Sequence, residues 1–195
     1  MRQIRSWAWI VVGAALTLQG CSTFQLTEGQ FKLKGKKVAV VAGLTNPSSL
    51  QAAEVLADEL SKTSRFQVMP PKQVAQSIPN YPQLVKGPYQ SAYFEIDVDY
   101  ARTDLARVQE IHKHVGTDYL YLLWAPSVTS NGNRSVFTKN YSYMRVIAQL
   151  FEHPGGNEVG HGTYTVRVDE DKNTILRDDL HRVAMELAEK TRTLK

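Results

Sequence analysis

A mixed α/β domain, opening with a βαβ unit and continuing α-β-β-β-α, is the fold class this sequence predicts. Three observations predict it. The apolar run Lys37-Val38-Ala39-Val40-Val41-Ala42 is separated from a second short run, Arg65-Phe66-Gln67-Val68-Met69, by apolar residues at helical spacing. A helical stretch closing at Gly116 leads directly into Tyr119-Leu120-Tyr121-Leu122-Leu123-Trp124. Two strand-like segments, 141–151 and 160–168, then precede a terminal helix. The sheet should be parallel at its start and antiparallel at its end, with helices packed on it in two or three layers.

The elements follow in order. Lys37–Ala42 does not alternate, which is the pattern of a strand buried on both faces. Gly43–Pro47 reads as a loop, and Ser48-x-x-Gln51 as a capping box. Leu50, Ala53, Leu56, Ala57 and Leu60 then carry a helix to about Lys62. Residues 65–69 form the second strand, stopped by Pro70 and Pro71, so the pair should be parallel with a right-handed crossover. Val74–Ile78 suggests a short helical turn. Phe94, Ile96 and Val98 alternate with acids and fit either an edge strand or the approach to a helix. Leu105, Val108, Ile111 or His112, and Val115 mark the next helix, with Gly116 at the left-handed position that ends it. Asn131-Gly132 is a hairpin signal. His153-Pro154-Gly155-Gly156-Asn157 joins the last two long strands, and Leu176, Leu180, Val183, Ala184 and Leu187 line the final helix.

The 195 residues, 43% hydrophobic and 22% charged, suit one domain that buries roughly 70% of its unfolded surface. Net charge is +4, and removal of the first twenty residues takes away Arg2 and Arg5. The small remainder, from many mixed charges, is no nucleic-acid footprint.

The N-terminus carries the clearest signal. Arg2 and Arg5 precede an apolar stretch from Trp7 to Leu18. It is too short for the roughly 20 residues of a spanning helix and reads as a signal segment. Leu18-Gln19-Gly20-Cys21 follows, and Cys21 is the only cysteine. This resembles the bacterial lipobox, with Gln19 where a small residue is more usual. The resemblance implies cleavage between Gly20 and Cys21, a diacylglycerol thioether on Cys21 and an N-acyl chain on its amine. Such chains hold a protein on a membrane almost permanently. Ser22, in place of Asp, implies sorting to the outer membrane. Residues 22–36 are expected to form a polar tether, ~50 Å when extended and ~20 Å as a coil. The division is thus 1–20 leader, 21–36 lipidated tether, and 37–195 a single periplasmic domain.

The element order, the opening Lys37–Val41 run and His114-Val115-Gly116-Thr117-Asp118-Tyr119-Leu120 resemble an envelope domain. That domain is shared by the N-terminal domain of the Tol-system propeller protein, the curli-secretion lipoproteins and the lipoprotein activators of penicillin-binding proteins. The resemblance covers roughly Lys37 to Lys190 and implies an envelope assembly or accessory role without a reaction.

Candidate chemistry is sparse. His112 and His114, two apart on a helix, point ~200° away from each other and cannot chelate one ion. Glu152, His153, Glu158 and His161 flank one turn and could hold Zn²⁺ only if they converged. Asp169-x-Asp171-x-Asn173 starts like a calcium loop, but Thr174 and Leu180 stand where Gly and Glu are needed. It reads better as a polar turn ending in an Asn or Thr cap. Gly155-Gly156-Asn157-Glu158-Val159-Gly160 has no helix N-terminus behind it to bind phosphate. The leading expectation is a lipid-anchored accessory factor that binds an envelope protein, with Tyr141 and Tyr143, beside Trp124, as candidates for its contact face. It needs no cofactor beyond the lipid on Cys21, and self-association stays open. The alternative is a periplasmic hydrolase or small-ligand module using Asp97 and Asp99, or the His153/His161 region.

Overall fold

The computed structural model describes residues 24–26, 35–63, 66–78, 81, 83–86, 102–125, 141–169, 171–172 and 174–192. Its strands are β1 (Gln25–Leu26), β2 (Lys37–Ala42), β3 (Gln67–Met69), β4 (Val85–Lys86), β5 (Arg102–Thr103), β6 (Tyr119–Trp124), β7 (Tyr141–Glu152), β8 (Asn157–Asp169) and β9 (Thr174–Ile175). Its helices are α1 (Pro47–Thr63), α2 (Pro71–Ser77), α3 (Leu105–Val115) and α4 (Arg177–Arg192). The main sheet has the order β1-β8-β7-β6-β2-β3, with β9 also paired to β8. β2 is parallel to both β3 and β6, whereas β6, β7 and β8 are successively antiparallel. The mixed sheet and the opening βαβ unit are as the sequence predicts.

Both faces of the central strands are covered, which makes three layers. Val38, Val40, Tyr121 and Leu123 pack toward α1 and α4 through Leu56, Leu60, Leu180 and Leu187. Ala39, Val41, Leu120 and Leu122 pack toward α2 and α3 through Val74, Val108 and Ile111. This is why β2 and β6 lack alternation: neither face meets water. Each large apolar side chain buried this way contributes ~1.5–3 kcal/mol.

Several local readings change. The cap of α1 is Asn46, whose Oδ1 accepts the Ser49 N–H at 2.8 Å, rather than Ser48. Pro47 at the first helical position starts the helix two residues earlier. Ser49 then bridges to β6, accepting from Ala125 N at 2.9 Å and donating to Ala125 O at 3.1 Å. Leu50 falls off the buried stripe and is 39% exposed. Pro71 likewise extends α2 toward its N-terminus. The turn after β8 is held by Asp169, whose Oδ1 accepts the Asp171 and Lys172 N–H groups. Thr174 enters β9 instead of capping α4. β4 and β5 form a separate two-stranded ladder that no sequence signal marked. The alternating 94–98 segment, Asp97, Asp99 and Asn131-Gly132 lie outside the described residues.

The largest correction concerns the tether. Phe24 is 5% exposed and belongs to the core on the α1/α4 side. Gln25 and Leu26 pair antiparallel with His161 and Gly160. Residues 24–26 are therefore part of the folded domain, because an aromatic ring and an open sheet edge offered more than solvation did.

Candidate functional site

Two features of the fold concentrate polar or unusual chemistry: the end of the sheet where α3 meets β6, and the β7/β8 ribbon with its added β1 strand.

At the first, Gly116-Thr117-Asp118 fastens three elements together. Gly116 takes φ 61°, and its N–H closes α3 on His112 O at 2.9 Å. Asp118 Oδ2 accepts the Lys37 N–H at 2.8 Å and Oδ1 accepts Lys36 Nζ at 3.0 Å. The Asp118 N–H donates to Lys37 O at 2.9 Å, and Asp118 O accepts the His153 N–H at 2.8 Å. Burial pushes the Asp118 carboxyl up, but the Lys37 N–H and the Lys36 ammonium outweigh it and hold it below the usual range. The Gly-x-Asp motif is a structural clasp that sets the β2/β6 register.

His112, beside this clasp, is fully buried. Its Nδ1 lies 3.3 Å from Thr117 O and 3.3 Å from Thr117 Oγ1. Its Nε2 is buried without a hydrogen-bond partner among the described residues, and its ring centroid is 5.2 Å from that of His153. Burial lowers its pKa to about 4; the Thr117 carbonyl works against that shift and His153 adds to it. His112 is thus neutral near pH 7. His114 is exposed, with Nδ1 2.9 Å from Glu110 O, so the two histidines of this helix face different surroundings.

The second feature is the face of β7 and β8 on the α3 side. Antiparallel pairing sets Tyr143 opposite Arg167, Arg145 opposite Thr165, Ile147 opposite Thr163 and Gln149 opposite His161. A bulge at Leu150/Phe151 brings Glu158 onto the same face as His161. A polar chain results. Thr103 Oγ1 donates to Gln149 Oε1 at 2.8 Å, and Gln149 Nε2 donates to Glu158 Oε2 at 2.8 Å. Glu158 Oε1 is 3.0 Å from His161 Nδ1. Gln149 is 8% exposed, so these bonds satisfy an otherwise buried amide. Away from the chain the face opens to solvent, with Tyr143 57% exposed.

The candidates named from sequence are thus dispersed. His153, in the turn after β7, packs on His112, whereas His161 pairs with Glu158 within the β7/β8 ladder. The described residues include no group of three or more potential metal ligands. Trp124, considered for an exposed face, is 3% exposed and packs in the α2/α3-side core. The Tyr141 side chain lies outside the described residues, as do Gly20 and Cys21. Among the described residues no helix is long and apolar enough to cross a membrane.

Sequence reasoning missed Phe24, Lys190 and the Gln149 amide. A Cβ placed on Gly162 would come within 2.6 Å of Phe24 Cδ2, and one on Gly160 within 2.8 Å of Phe24 Cζ. Two glycines alternating on one face of a strand were the available signal, since such glycines mark close approach of another chain segment. Phe24 and Leu26 have the matching two-residue spacing.

No family model matches this chain, and no curated protein matches it. Among solved structures it is similar to the PelC dodecamer from Paraburkholderia phytofirmans, with 16% identity and a TM-score of 0.46 over 87% of this chain and 94% of that one. It is also similar to lipoprotein GNA1162 from Neisseria meningitidis, with 14% identity and a TM-score of 0.44 over 80% and 97%.

Proposed function

We propose that this chain is a lipid-anchored protein of the bacterial envelope, on the outer membrane, that acts by binding another envelope protein. The observation that carries the reading is the position of Phe24. It sits in the core three residues after the lipobox cysteine, so the folded domain begins almost at the anchor. Confinement of this kind raises the effective concentration of a partner in the same membrane, and a modest intrinsic affinity then suffices. An enzyme acting on a diffusing substrate gains little from it. The resemblance to the Tol, curli and penicillin-binding-protein-activator group supports the same accessory role, and the exposed Tyr143 side of the β7/β8 ribbon is a suitable contact surface.

The test replaces the leader with a cleavable secretory signal and Cys21 with Ser. The expected product is a folded periplasmic domain that fails to rescue a deletion. Full rescue at normal expression would favour the alternative, a small-ligand module or hydrolase. The Glu158–His161 pair, steadied by Gln149, is the one described constellation that suits that alternative. Loss of the phenotype in Glu158→Gln with normal anchoring would point the same way.

A further inference from the structure

We infer that the domain is held on the bilayer in one orientation, with the β1/β8 edge of the sheet and the side of α4 that adjoins this edge against the lipid headgroups. The inference rests on the reading of Cys21 as the lipid-bearing residue. Its structural part is the seat of Phe24. The ring is buried over Gly160 and Gly162, and a Cβ on Gly162 would approach even the Phe24 Cα to 2.7 Å. Lys190 Nζ on α4 donates to Phe24 O at 3.1 Å, and the same ammonium pairs with Glu186 at 3.0 Å. Gln25 and Leu26 complete the hold by pairing with β8. The chain therefore leaves the fold at one defined point, between the β8 edge and α4.

Only Ser22 and Thr23 separate that point from Cys21. Three Cα–Cα steps span at most about 11 Å. The lipid-bearing residue cannot lie farther than this from Phe24, and the acyl chains must enter the bilayer from there. A link this short cannot carry the acyl chains around a domain of this size to its far side. The surface beside Phe24 is thus forced to face the headgroups. It includes Arg182, whose Nη2 donates to Thr165 O on the β8 edge at 3.3 Å, and the exposed Glu189. The opposite edge of the sheet, β3, is five strand spacings away, or ~24 Å. It must point into the periplasmic space.

The orientation can be read on the lipidated chain in vesicles. Because a thioether leaves Cys21 without a thiol, one added cysteine is the only labelling site. Fluorophores at Arg182→Cys and Glu189→Cys report the near side, and at Gln67→Cys and Lys72→Cys the far side. Vesicles containing headgroup-spin-labelled phosphatidylcholine should quench the first pair several-fold more than the second. Inserting six Gly/Ser residues between Thr23 and Phe24 should erase that difference while leaving lipidation intact. Equal quenching at all four sites, or a difference that survives the insertion, would overturn the orientation. Mass analysis of the wild-type membrane fraction separates the two failures: an unmodified Cys21 would remove the lipoprotein reading itself and the orientation with it.

Discussion

Lys190 near the end of α4 donates a hydrogen bond to the carbonyl of Phe24 at 3.1 Å, across 166 positions of sequence. This bond, the ring's seat on two glycines and the two-residue pairing of β1 with β8 make the segment after Cys21 part of the domain.

Phe24→Ala should therefore destabilise the unlipidated chain beginning at Ser22 by about 3 kcal/mol, the low end for a buried aromatic ring. A chain beginning at Lys36 should still fold, since β2 to α4 remain, but with a loss of the same order. Urea unfolding measures both. Wild-type midpoints would mean that the Phe24 seat contributes nothing.

Gly162→Val should act through the same seat. The added carbons meet the Phe24 backbone as well as its ring, and a backbone cannot swing aside. A cost of ~1–3 kcal/mol is expected. Combined with Phe24→Ala, the two losses should sum to less than their separate values, because each removes what the other damages. Strict additivity in the double-mutant cycle would show that the two sites are not coupled.

Asp118→Ala should remove the acceptor of the Lys37 N–H and cost ~1–2 kcal/mol at neutral pH. The folded-state pKa of this carboxyl is lowered, so its contribution is full above the unfolded value near 3.9 and fades as pH falls through the folded one. The stabilities of wild type and variant should accordingly converge in strong acid. A gap that is constant with pH would show that the carboxylate charge is not what matters.

His112 gives a second acid dependence in a higher window. Its folded pKa of about 4 is below the ordinary 6.5, so the unfolded chain takes up a proton that the folded chain refuses. Stability from this group is complete above pH ~6.5 and is lost progressively as pH falls toward ~4, up to on the order of 3 kcal/mol. His112→Leu should flatten the stability profile between these limits. Denaturant midpoints at half-unit pH steps test it, and an unchanged slope would sink the assignment.

The sequence by itself determined the central sheet. The unalternating runs 38–42 and 119–124 read as strands buried on both faces, and Gly116 ended α3 where a left-handed residue was needed. The spacing of apolar residues likewise located α1, α3 and α4, because burial of one helical face is a local pattern. The tertiary structure alone decided what depended on distant partners. Phe24 looked like a tether residue until Gly160 and Gly162 opened a slot for it from the far side of the chain. The helical spacing left Ile111 or His112 open as the inward residue, and only the packing of α3 on the sheet buries both. Glu158 and His161 came to share a face only because a bulge shifted the strand by one residue. Each of these is a pairwise relation between residues far apart or out of period, and one-dimensional spacing carries no record of it.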